Sequence, residues 1–285
     1  MRNDQYRLYQ QELARKQRRC HLRGRFRIKA ALFKERIVAM AETLLEREKT
    51  CDNACAMLIP LMYALSARIN EVDPTNTKRV DIHANSITRD FRIDGYKVLA
   101  RFGSKNGGET RKARMKLLML EPELVHRMIN YVHTAEWPVA KSFTVTKHMT
   151  APPLQSGPER KGIGYQCGWA HCGNACDGSS RFKHLMVEFG LDTACECIEE
   201  RDFHMNMLRA ISLTLLPYEY DVSECAASRT KAVEFATAMQ AGHAPQSEQC
   251  QHYIANKVVD EGERPTKRAR IVYDRHGDEL GLETF

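Results

Sequence analysis

A chain of 285 residues with 43% apolar and 28% charged residues can bury a sizeable core as one large domain or two smaller ones. The composition excludes a disordered or fibrous class, and the ten cysteines do not form a disulfide scaffold in a reducing compartment. Met1 is followed by polar Arg2-Asn3-Asp4-Gln5, and the longest apolar run, Ala54 to Leu65, is too short for a bilayer and contains Pro60. An intracellular setting with no membrane partner is therefore expected. The net charge of +7 is concentrated in two places. One is Arg15-Lys16-Gln17-Arg18-Arg19, continuing to Arg23, Arg25, Arg27 and Lys29; the other is Arg264 to Arg270. Such patches suit a polyanion, and they suit solvated tails equally well.

In chain order, residues 28 to 48 read as an amphipathic helix with Leu32, Ile37, Met40, Ala41, Leu44 and Leu45 on its apolar stripe. Residues 53 to 70 read as a buried helix interrupted or initiated at Pro60, followed by a turn at Asp73-Pro74-Thr75-Asn76. Tyr96, Val98, Ala100 and Phe102 alternate with polar residues. Ser104-Lys105-Asn106-Gly107-Gly108 follows, and then a second alternation through Ala113, Met115 and Leu117, which together predict a β-hairpin. Glu121-Pro122-Glu123 opens a helix running to about His133. Residues 150 to 180 read as a surface insertion rich in Gly, Pro and Ser. Helical patterning returns over 182–190, 203–216 and 223–241. A last helix is expected from Tyr253 to Asp260, with Glu261 to Phe285 as a loosely held basic tail.

Four separated pieces carry chemistry. Arg68 and Glu71 lie at the end of the second helix, three residues apart and so on one face. Lys105 sits at the hairpin tip. Asn206 and Arg209 share a face of a later helix. Gly242-His243 precedes Tyr253 by an interval of 253 − 243 = 10. Individually each has an ordinary reading: a surface ion pair, a solvated lysine, a snorkelling arginine, a capping histidine, a packed tyrosine.

As an ordered set, these pieces resemble the tyrosine recombinase (phage integrase) family over roughly residues 50 to 260. That family carries an arginine in a GLRxxE-like box, a lysine on a β-hairpin, an HxLRH box, and a GH box shortly before a tyrosine. The resemblance implies an α+β fold, a mainly helical catalytic domain over 51–260 with a small antiparallel β-sheet. Residues 1–50 would be a basic helical N-terminal segment lacking a full core-binding domain, and 261–285 a flexible tail. It implies site-specific cleavage and rejoining of double-stranded DNA through a 3′-phosphotyrosyl intermediate, by a homo-oligomer on DNA, with no cofactor and no metal. The setting would be cytoplasmic and nucleoid-associated for a prokaryotic or phage gene.

The implied roles follow the chemistry. An attacked phosphodiester gains negative charge, so Arg68 and Arg209 would fork onto its non-bridging oxygens and His243 would donate to the same phosphate. Lys105 would protonate the leaving 5′ oxygen, and Tyr253 would attack. This sequence departs from the family at Asn206, where a histidine is usual, and at the interval 243 − 209 = 34, which is longer than usual. His204 lies five residues before Arg209, about 140° round a helix, and so does not share its face. Both departures are shared by telomere resolvases, which close hairpin ends by the same chemistry. A catalytically impaired DNA-binding remnant is the other alternative. Arg68 stands near the start for a full DNA-clamping domain, so the resemblance would imply a reduced recombinase, a truncated one, or one whose clamp a partner supplies. Separately, Cys167, His171, Cys172 and Cys176 lie within ten residues, with Cys195 and Cys197 beyond. They read either as a zinc site or as a cysteine-bearing insertion, and their C-x3-H-C-x3-C spacing favours the insertion.

Overall fold

The computed structural model describes residues 26–72, 91–100, 114–135, 182, 185–197, 206–224, 229–242, 257–259, 267–273 and 279–284. Over these the protein is mainly helical with small three-stranded sheets, one of them wholly antiparallel. Among the described residues, no helix is long and apolar enough to cross a membrane.

Strand β1 (Phe26–Ile28) leads into helix α1 (Ala30–Glu46). The expected stripe of α1 is buried at Ile37, Met40, Ala41 and Leu44, joined by Phe33. It packs on α2 (Cys51–Ala64), whose residues from Ala54 onward are almost all inaccessible. Thr50 caps α2, its Oγ1 accepting from the Asn53 amide at 3.2 Å. The helix runs through Pro60 rather than stopping or starting there. Burial on every side outweighs the single backbone hydrogen bond that proline removes.

Helix α2 was expected to reach residue 70 but ends at Ala64. Ser66 adopts a left-handed φ of 47°, the Ser66 amide donates to Tyr63 O at 3.1 Å, and the Ala67 amide donates to Met62 O at 2.9 Å. This pair of bonds is a Schellman termination. A serine holds the left-handed position at a cost of about 1–2 kcal/mol. Buried partners offset it: Ser66 Oγ bonds Ser212 Oγ and accepts from Gln240 Nε2 at 3.1 Å. The chain then restarts as the short α3 (Ile69–Val72), with Arg68 between the two helices.

The hairpin is present. Strands β2 (Phe91–Asp94), β3 (Lys97–Ala100) and β4 (Arg114–Leu117) form an antiparallel sheet in that order. Val98 and Ala100 face inward as the alternation predicts, and in β4 Leu117 is buried as expected, but the strand does not otherwise follow its predicted facing. Met115 is 39% exposed whereas Lys116, paired with Val98 across the strands, is 2% exposed. Helix α4 (Pro122–His133) matches its predicted bounds and has Pro122 in the first turn.

Residues 185–188 and α5 (Leu191–Ala194) are helical and lead to β5 (Cys195–Cys197), which pairs antiparallel with β1. Helix α6 (Asn206–Glu219) is followed by β6 (Asp221–Glu224), where helix had been expected from 223, and then by α7 (Arg229–Ala241). Strand β7 (Lys257–Val258) lies parallel to β1, so the helix expected over 253–260 does not hold for these residues.

The expectation of a loose C-terminal tail is corrected most clearly. Strand β8 (Ala269–Tyr273) pairs parallel with β6 and antiparallel with β9 (Glu279–Thr284). The second basic cluster is partly structural. Lys267 Nζ donates to Pro217 O and to Tyr218 O, closing the carbonyl end of α6. Arg268 is buried, with Nε 2.7 Å from Glu219 Oε2, Nη1 3.1 Å from Glu121 Oε1 and its guanidinium 5.0 Å from the Tyr96 ring centre. Burial opposes its charge, but Glu219 and Glu121 more than compensate and raise its pKa further. Arg270 pairs with Asp221 at 3.0 Å.

Arg268→Met is expected to lower unfolding free energy by about 2–4 kcal/mol in urea titration, because it breaks a buried pair and a cation–π contact. A loss below about 0.5 kcal/mol would mean that this strand only rests on the surface.

Candidate functional site

Glu71 organises the site. It is the third residue of α3, and its Oε2 accepts from the Arg68 main-chain amide at 2.8 Å. That is half of a capping box, with Arg68 as the cap and Glu71 reaching back to it. The same oxygen lies 3.0 Å from Arg209 Nη1, on α6, and 3.2 Å from Lys116 Nζ, on β4. Glu71 is 5% exposed and Arg209 2%. Three elements far apart in sequence therefore meet on one buried carboxylate.

Arg209 Nη2 donates to Ala241 O, the last carbonyl of α7. Gly242 ends that helix with φ 68°, and its amide donates to Met239 O at 2.9 Å. A residue with a β-carbon is disfavoured at such a φ, which accounts for the glycine before His243. The Gly242 end of α7 thus lies beside Arg209. Gln240 fixes this corner: its Oε1 accepts from the Leu117 amide at 2.8 Å, and its Nε2 donates to Leu117 O at 2.7 Å.

Arg68 is half-buried. Its guanidinium makes no hydrogen bond or ion pair with another described residue, so the ordinary reading of an Arg68–Glu71 surface ion pair gives way to a main-chain contact. The reason is the Schellman turn, which lifts Arg68 out of the helix. Of the predicted residues, the main-chain amide of Arg68 and the guanidinium of Arg209 meet on one Glu71 oxygen. Lys105, His243 and Tyr253 lie outside the described residues, as do the side chain of Asn206 and the cluster Cys167, His171, Cys172 and Cys176. Tyr63 and Tyr220 are both fully buried, and burial raises both hydroxyls far above the usual phenol range. Neither presents an accessible phenolate. Tyr273 belongs to β8.

The sequence reading missed Lys116 and Gln240. Lys116 does leave a trace, as a single cation in the run Met115-Lys116-Leu117-Leu118-Met119-Leu120. A buried lysine needs a carboxylate, and Glu71 was already in view.

No known protein family, curated protein or solved structure matches this chain.

Proposed function

We propose that the chain is a tyrosine-type DNA strand transferase, with Arg68 and Arg209 as phosphate-binding residues and Tyr253 as nucleophile. The observation that carries this reading is the meeting of the Arg68 main-chain amide and the Arg209 guanidinium on Glu71, with Arg209 also bonded to the carbonyl end of α7. Phosphoryl transfer of this kind is mainly positioning and charge stabilisation. It calls for two forked cations held at fixed separation beside a further hydrogen-bond donor, the part His243 takes. Tyr253 gives up its phenolic proton to His243, His204 or water and attacks in line, the 3′ phosphate becomes tyrosine-linked, and Lys105 protonates the departing 5′ oxygen. The bond energy is kept in the phosphotyrosyl ester, so rejoining needs no nucleotide hydrolysis.

One observation favours a second reading, a DNA-binding remnant without activity. Arg209 is 2% exposed and two of its nitrogens already bond protein acceptors. Catalysis then requires that DNA draw it out.

The test is incubation with a library of nicked duplexes randomised around the nick, in which the cleaved fragment diffuses away and traps any adduct. Strand transfer predicts protein–DNA species that resist denaturation, and on uninterrupted duplexes either exchanged products or covalently closed hairpins. Salt-sensitive binding with no adduct from any library member supports the remnant instead.

A further inference from the structure

We infer that Lys116 is a positioning residue for Arg209: it holds Glu71 and offsets its charge, so that Arg209 can pass from that carboxylate to a phosphate. The inference rests on the phosphodiester reading above and deepens it.

Three donors converge on Glu71 Oε2: Arg68 N at 2.8 Å, Arg209 Nη1 at 3.0 Å and Lys116 Nζ at 3.2 Å. A carboxylate oxygen offers about two lone-pair directions, so the two cations compete for what the main-chain amide leaves. Each cation has a second anchor. Lys116 Nζ lies 3.5 Å from Ser66 O, and Arg209 Nη2 holds Ala241 O.

They differ in how well they are satisfied. Arg209 Nε is buried and has no hydrogen-bond partner among the described residues. A buried donor of that kind is costly, and an incoming oxyanion supplies the acceptor it lacks. Lys116 stands on a paired strand, within a sheet that the Gln240 bonds tie to α7.

Were Arg209 to leave Glu71 with no cation behind, a buried carboxylate would lose its charge partner, and that penalty would oppose the move. With Lys116 in place the carboxylate keeps one. Lys116 thereby lowers the cost of releasing the arginine without touching the phosphate itself.

The test uses the full chain with inorganic sulfate as the probe, at fixed ionic strength. The readout is the NMR signal of Arg209 Nε–H, identified by its loss in Arg209→Lys. The wild-type signal is expected to shift through a sulfate titration. Lys116→Met should raise the midpoint by about tenfold or more, because the arginine is then held by a carboxylate that has lost the lysine's charge. Glu71→Gln should lower it. The double variant should return to within about threefold of wild type, since contacting residues are non-additive. A lysine that only fills space would depress the melting temperature yet leave the midpoint in place, and Glu71→Gln would not rescue it.

If Lys116→Met fails to fold, Lys116→Arg should keep the midpoint within about threefold by retaining the cation, and Glu71→Gln must still lower it. A wild-type signal indifferent to sulfate, an unchanged Lys116→Met midpoint, or a double variant no better than Lys116→Met overturns the inference. In the fallback, so does a Glu71→Gln midpoint that does not fall. Adduct formation by the wild type reports separately on strand transfer. Its absence alongside the expected sulfate series removes that reading and leaves Lys116 serving an anion-binding arginine. Its presence beside an unmoved Lys116→Met midpoint does the reverse.

Discussion

Tyr253→Phe is expected to abolish covalent capture of DNA while leaving DNA affinity within about twofold of the parent, because the ring is kept and only the phenolic oxygen is lost. No other group is assigned the attack, so the effect should be complete and not partial. Tyr63→Phe and Tyr220→Phe are the controls. Both hydroxyls are buried, and that of Tyr220 donates to Leu118 O, so these variants should change stability and spare capture. Tyr273→Phe in β8 should also spare it. Capture that survives Tyr253→Phe and is lost in one of the controls would move the nucleophile.

The largest effect on stability is expected at Glu71. Glu71→Ala removes a carboxylate within 3.2 Å of both Arg209 Nη1 and Lys116 Nζ, and takes from the Arg68 amide the acceptor it has in Glu71. Breaking a buried ion pair from one side costs about 3–5 kcal/mol, because the remaining charge stays buried. Glu71→Gln keeps an oxygen in place for the amide and the guanidinium, so its cost should be nearer 1–3 kcal/mol. Urea titrations with unchanged slope would measure both. A Glu71→Ala loss below about 1 kcal/mol would mean that the cluster is solvated, and that Arg209 and Lys116 do not depend on Glu71.

Much of the helical architecture was legible because helix faces repeat. Ile37, Met40, Ala41 and Leu44 marked the buried side of α1, and Pro122 marked the start of α4. The end of α2 was not legible. Serine is an uncommon left-handed terminator, and what stabilises Ser66 there comes from Ser212 and Gln240, far along the chain. The facing of β4 was misread for a related reason. Alternation assigns Met115 inward and Lys116 outward, but Glu71 and the Ser66 carbonyl draw the lysine in. The C-terminal strands were misread because their basic residues look like a solvated tail. Arg268 instead finds Glu219 and Glu121, and Lys267 finds the carbonyl end of α6.

Of the candidate site, the described residues show the Arg68 main-chain amide and the Arg209 guanidinium on one Glu71 oxygen. How they meet there was not legible in the sequence. Sequence spacing placed Glu71 on the face of Arg68, whereas its carboxylate holds the Arg68 main chain and the Arg209 side chain. A capping geometry, not helix periodicity, sets that arrangement.

The most direct test of the central claim is peptide mapping of the adduct trapped on the nicked-duplex library. The account predicts a single 3′-phosphotyrosyl bond, on the peptide containing Tyr253, lost in Arg209→Lys because a point charge cannot reproduce the forked contact. A phosphoryl bond on any other residue, or DNA binding with no adduct from the whole library, would contradict it.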